Sequence, residues 1–190
     1  MADIRLTAAP VLGTDTSIGE NRIVERGDLG LVSVAIPLGG EEARAGALQG
    51  GWSLAMPDAA LSTGDEDMRA IRTGPDQIML VFAGAATDRA ARLRERLAGA
   101  AYTTDQTDAW FALEISGPDT LAALERLFPL DVARFGIGAA GRSLVHHIAA
   151  TLVRLGPDRF LLLSARSSAG SFLRSVEQTF SLGLNPRPAR

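Results

Sequence analysis

An internal repeat constrains the fold of this chain more than any other feature. The triplet Gly-Pro-Asp occurs at Gly74–Asp76, Gly117–Asp119 and Gly156–Asp158, and the first and third share their surroundings. Arg72-Thr-Gly-Pro-Asp-Gln-Ile-Met-Leu-Val-Phe82 resembles Arg154-Leu-Gly-Pro-Asp-Arg-Phe-Leu-Leu-Leu-Ser164. In each copy a turn signal leads into an apolar run of strand length. A helix follows each. The first starts at Thr87, with Asp88 favourable against the helix dipole, an apolar stripe of Ala86, Ala90, Leu93 and Leu97, and Gly99 as its stop. The second starts at Ser168, carries Phe172, Leu173, Val176 and Phe180, and stops at Gly183.

The upstream segments match as well. Leu29 to Ile36 and Ala109 to Ile115 both read as strands. A helix around Glu41 to Leu48 follows the first. Ser116 and Pro118 suit the start of a helix after the second, with Leu121, Leu124, Leu127 and Phe128 on its apolar face and Pro129 at its end. The equivalent positions lie 79 (Ile36 to Ile115), 82 (the two turns) and 81 (Thr87 to Ser168) residues apart. These offsets imply an α+β fold of duplicated β-α-β-β-α units. Chance agreement between two common α+β patterns is the competing explanation. The implied organisation is an irregular arm over residues 1–26, a first unit over 27–100, a second over 101–184, and a disordered tail over 185–190. Long connectors at Gly50–Gly64, holding Trp52, and at Pro129–Gly141 suit functional or interface roles.

Composition removes much familiar chemistry. All 19 basic residues are Arg; Lys and Cys are absent, and His occurs only at 146 and 147. A Lys Schiff base, a Walker A lysine, thiol catalysis, disulfides and thiolate metal sites are thereby excluded. A net charge of −3 argues against general nucleic-acid binding. No apolar run reaches the roughly 20 residues of a spanning helix, and Met1 to Val11 lacks a signal-type apolar core. A soluble, cytoplasmic protein is the expectation.

The remaining motifs are modest. Gly136-Ile-Gly-Ala-Ala-Gly141 fits G-x-G-x-x-G. A helix precedes it and a strand, Ser143 to Val153, follows, which is the reverse of a dinucleotide site, so a flexible glycine loop is expected. His146 and His147 are neighbours on that strand, facing opposite sides and unable to chelate one metal together. They suit structural roles, or contact with an anion or partner. Arg89, Arg92 and Arg96 share a helix face, either solvated or docking an acidic partner. Trp52 is a candidate interface anchor. Asp65-Glu-Asp67 reads as a solvated turn, lacking the spacing of a calcium loop. No catalytic residue emerges; Asp105, Asp108 or Asp131 would be the acids available to an enzyme acting alone.

Over Thr104 to Glu177 the sequence resembles the gamma subunit of heterotetrameric sarcosine oxidase. The residues that carry this are Ala109-Trp-Phe-Ala-Leu-Glu-Ile-Ser-Gly-Pro118 and Leu124-Glu-Arg-Leu-Phe-Pro-Leu-Asp131. Gly138 before Arg142-Ser-Leu144, Thr151-Leu-Val-Arg154, and Phe160 to Ser167 follow in order. The chain departs from the family at Phe128, where a Cys is common, and at Ile78, Leu173 and Val176, where Trp residues are expected. The resemblance implies the fold of the folate-binding domain of glycine-cleavage aminomethyltransferase. It also implies alpha, beta and delta subunits as partners. FAD, FMN, NAD, tetrahydrofolate and zinc are then held by those other subunits and none by this chain alone. The complex so implied oxidatively demethylates sarcosine to glycine, or acts on a related N-methyl amino acid. Trp52, Arg89, Arg92, Arg96, Arg142, His146 and His147 are the candidate partner contacts. A stand-alone folate or anion binder is the alternative.

Overall fold

The computed structural model describes residues 9–37, 39–84 and 87–182. Ala86, Gly183 and the tail at 185–190 lie outside them. The described chain begins with β1 (Asp15–Ile18) and β2 (Asn21–Glu25). Then come β3 (Leu29–Ala35), α1 (Glu41–Trp52), β4 (Ser62–Gly64), β5 (Met68–Arg72), β6 (Gln77–Ala83) and α2 (Thr87–Arg96). The second half runs β7 (Tyr102–Asp105), β8 (Trp110–Ser116), α3 (Thr120–Leu127), β9 (Ala140–Val145), β10 (Ile148–Gly156), β11 (Arg159–Ala165) and α4 (Ala169–Ser181).

The strands form two antiparallel sheets, ordered β4-β5-β6-β3-β7 and β9-β10-β11-β8-β2-β1. Alternation explains why the middles of β6 and β11, Ile78–Phe82 and Phe160–Leu163, are continuously apolar. Ile78, Leu80 and Phe82 face α1 and α2, while Met79 and Val81 face the other sheet. Phe160 and Leu162 face α3 and α4, while Leu161 and Leu163 face the first sheet. A strand buried on both sides has no polar positions to spare. The result is four layers, helices–sheet–sheet–helices, with three apolar cores between them. Each fully buried Phe or Leu contributes about 1.5–3 kcal/mol.

Several expectations need correction. The first unit holds one strand more than β-α-β-β-α, the short β4, and the second holds two more, β7 at its start and β9, split from β10. The stretch Ser143 to Val153 is a hairpin, with His146 and His147 at its turn and His146 at φ 54°. The arm at 1–26 is not irregular throughout, because β1 and β2 add to the second sheet on β8. Strand β7 pairs with β3 of the first sheet. The strand leading into each unit thus crosses to the sheet of the other. α1 extends to Trp52, so Trp52 closes a helix rather than sitting in a connector. Ser116 is the last residue of β8, and α3 starts at Thr120 with Asp119 before it.

Candidate functional site

The two sheets are joined at their β4 and β9 ends by a reciprocal backbone bridge. Ser62 N donates to Gly138 O at 2.7 Å, and Ala140 N donates to Ala60 O at 2.8 Å. The Gly136–Gly141 stretch is consumed by this junction. Gly138 O also accepts from Ser62 Oγ at 2.8 Å, and Gly138 N donates to Arg154 O at 2.8 Å. A β-carbon on Gly141 would lie 2.8 Å from the Phe135 ring. Gly141 therefore serves close packing and Gly138 supplies a φ of 88°, and these bonds fix the loop rather than leave it free to close on an anion.

Arginines use their forks on the protein itself. Arg72 donates from Nε to Gly74 O at 2.7 Å and from Nη2 to Pro75 O. Arg154 repeats this with Gly156 O at 3.1 Å and Pro157 O at 2.6 Å, and adds Phe135 O at 2.5 Å. On α2 the three arginines of the expected face each find a partner within the chain. Arg89 donates to Ala83 O at 2.5 Å and stacks over Phe82. Arg92 pairs with Asp88 at 3.2 Å, and Arg96 bonds Gly51 O at 3.0 Å while stacking on Trp52. Trp52 is half-covered by its own chain and packs on the core under α1 and α2.

The other candidates gather at one place. Arg142 and Leu144 lie on β9, an edge strand, opposite Thr151 and Ala149 of β10. Their face is the one that buries Ala140 and Val153 between the sheets, but here the first sheet no longer covers it. Leu144 is 52% exposed, and Arg142, Ala149 and Ala165 are exposed beside or near it. His146 and His147 cap this edge, both exposed.

Two cavities open between the sheets. The larger, about 200 Å³, lies between the two crossing segments, residues 25–27 and 105–108. Leu29, Leu31, Trp110 and Ala112 also line it, and the 9–11 segment walls it. Glu25 holds that wall by accepting from the backbone N–H groups of Val11, Leu12 and Gly13 at 2.5, 2.8 and 2.7 Å. Trp110 Nε1 is buried without a hydrogen-bond partner among the described residues. Asp105 accepts from Thr107 N at 3.0 Å, and Asp108 lies 3.7 Å from Arg166. Asp131 pairs with Arg134 instead, at 3.0 Å.

The smaller cavity, about 90 Å³, is rimmed by Arg26, Arg69 and Arg159 over a floor of Leu29, Val81, Leu155 and Leu161. Sequence reasoning missed both cavities. Around the smaller one Glu114 accepts from Arg26 at 2.5 Å and from Arg159 at 2.7 Å. Arg26 also grips Asp28, and Arg159 grips Glu66 at 2.6 Å. The bond to Asp28 is the main cause raising Arg26 above its ordinary value, and it holds Asp28 below the usual carboxylate range. Burial pushes Arg69 down. Among the described residues no group of three His, Asp or Glu side chains gathers as a metal site, and no helix is long and apolar enough to cross a membrane.

Comparison of this architecture with solved structures places the fold. A chain of heterotetrameric sarcosine oxidase from Corynebacterium sp. U-96 matches with a TM-score of 0.77 at 19% identity, over 94% of this chain and 92% of that one. The fold is that of a sarcosine oxidase chain. Glycine cleavage system aminomethyltransferase T from Bartonella henselae matches with a TM-score of 0.63 at 17% identity, over 83% of this chain and 45% of that one. No protein-family model matches the sequence, and no curated protein matches it closely.

Proposed function

We propose that this chain is the gamma-type subunit of a heterotetrameric, flavin-dependent sarcosine oxidase, and that it acts in assembly and stability of the complex. One observation carries the reading. The likeness to a chain of such a complex runs nearly end to end in both directions, whereas the chain spans only 45% of the aminomethyltransferase. The ordered family steps from Ala109 to Ser167 point the same way. In this reading the alpha, beta and delta subunits hold FAD, FMN, NAD, tetrahydrofolate and zinc, and the complex demethylates sarcosine or a related N-methyl amino acid. The chain works in the cytoplasm with those partners. The exposed face at Arg142 and Leu144, with His146 and His147 at its end, is the partner contact. Arg89, Arg96 and Trp52 act mainly within the chain. Co-expression with alpha, beta and delta subunits tests this: a complex that co-purifies supports it, and failure to co-purify overturns it.

The second reading is a stand-alone folate or anion binder, favoured by the cavity between the crossing strands. Its volume of about 200 Å³ is below the roughly 300–1,000 Å³ that buries a drug-sized ligand, which favours the first reading. Calorimetric titration of the isolated chain with tetrahydrofolate separates the two: saturable heat supports the second, and none removes it.

A further inference from the structure

We infer that the pocket closed by Arg69 is a binding site for the carboxylate of a short aliphatic acid. Three guanidinium groups rim this pocket, and two of them are already neutralised. Arg26 is gripped by Asp28 and Glu114, and Arg159 by Glu114 and Glu66. Arg69 has no carboxylate within 4 Å among the described residues. It is the rim cation left for a ligand.

Arg69 is held in place for that task. It rises from β5 on the face between the sheets, beside Ile71 and across from Val81. Its Nη1 donates to Ser62 Oγ at 3.1 Å, and Ser62 Oγ in turn donates to Gly138 O at 2.8 Å. This chain of bonds ties the guanidinium to the bridge between the sheets and leaves its other N–H groups for a ligand. A planar fork of that kind matches a carboxylate with two parallel hydrogen bonds. Burial is the first influence on Arg69 and disfavours its charge, Asp65 and Glu66 offset part of that, and an anion bound directly to the fork offsets more.

Two acids, Asp65 and Glu66, also line the pocket, and both are engaged elsewhere. Asp65 Oδ1 accepts from the N–H groups of Asp67 and Met68 at 2.9 and 3.1 Å, and Glu66 pairs with Arg159. Below the fork the floor is apolar: Leu29, Val81, Leu155 and Leu161. A volume of about 90 Å³ equals roughly three waters' share of the liquid, which suits a short hydrocarbon tail. One charged fork above a small greasy floor selects an aliphatic monocarboxylate over a neutral or larger ligand. The inference does not depend on whether the chain assembles with flavoprotein subunits.

The test uses the purified full chain and butyrate, followed by methyl-detected NMR and thermal unfolding at constant ionic strength. Butyrate is expected to bind saturably, to shift the methyl signals of Val81, Leu155 and Leu161, and to raise the melting temperature. Butyramide, equal in shape but uncharged, is expected to bind at least about tenfold more weakly, because it loses the charge-assisted bonds. Arg69→Gln is expected to abolish the butyrate response. Equal responses to butyrate and butyramide, methyl shifts elsewhere, or no saturable binding overturn the inference. The butyramide comparison needs no variant and stands even if Arg69→Gln does not fold.

Discussion

Phe82 lies over Gly30, its cross-strand partner between β6 and β3, so closely that a β-carbon at position 30 would fall 2.2 Å from the ring. The second half inverts this arrangement. The equivalent pair is Phe111 on β8 and Ser164 on β11, with the large side chain on the other strand. Each helix-facing core thus receives one aromatic ring at this level, from opposite strands. Gly30→Ala is therefore expected to destabilise by about 1–3 kcal/mol through overpacking, although Gly→Ala within a strand ordinarily gains stability. Denaturant midpoints check this, and Phe82→Leu in the same chain should restore part of the loss.

The repeated arginine clasps predict an ordering. Arg154 holds three carbonyls, at Gly156, Pro157 and Phe135, and stacks over Phe160. Arg72 holds two, at Gly74 and Pro75. Arg154→Ala is expected to cost about 2–4 kcal/mol and Arg72→Ala about half that, given 1.5–3 kcal/mol for a hydrogen bond to a charged group and partial replacement by water. Urea unfolding of both variants measures the difference. An equal loss would remove the special role of the Phe135 contact.

Strand exchange predicts that the segment carrying β1 and β2, residues 15–25, is part of the fold. Ile23 is fully buried in the second core, and β2 covers the edge of β8. Asn21 also exchanges two 2.9 Å bonds with Asp119 at the start of α3. Deleting 1–26 is expected to cost roughly 3 kcal/mol or more, the lost Ile23 burial alone supplying about half. Circular dichroism melts would detect it; an unchanged melt would mean that β1 and β2 add nothing.

Acid stability follows from the carboxyls whose values are lowered in the fold. Asp28 and Asp15 are depressed from 3.8 first by their bonds to Arg26 and Arg22. Glu66 is depressed from 4.5 first by its bond to Arg159. A group lowered by folding adds stability above its unfolded value and loses it as the pH falls through its folded one. Stability should therefore be flat from neutral pH down to about 5 and fall below about 4.5. The fall should be shallow, since these pairs are exposed and screened by salt. Urea midpoints across pH should show it, and Asp28→Asn should reduce the acid-dependent part.

Much of the fold is legible in the sequence because its signals are local. The Gly-Pro-Asp turns, the apolar runs of β6 and β11, and the stripes of α2 and α4 need only neighbouring residues to be read. The exchanged strands escape notice because β1 and β2 are short and mostly polar at the surface, and their partner β8 lies some 90 residues away. The β9–β10 hairpin escapes because its turn, His146–His147, contains neither Gly nor Pro. Helical spacing places Arg89, Arg92 and Arg96 on one face. It does not reveal that Ala83 and Gly51 carbonyls and two aromatic rings draw two of the three back onto the protein. The pocket of Arg69 depends on which guanidinium groups find carboxylates across the sheets, which is a property of tertiary pairing.

Assembly with flavoprotein subunits is read out by co-purification. The tagged chain, co-expressed with the alpha, beta and delta subunits of a heterotetrameric sarcosine oxidase, should elute from size exclusion in one stoichiometric, flavin-containing peak. Leu144→Asp together with Arg142→Glu should release it from that peak while leaving its own melting temperature within a few degrees. Elution of the unaltered chain alone, apart from a complete flavoprotein, would rule out the assembly role.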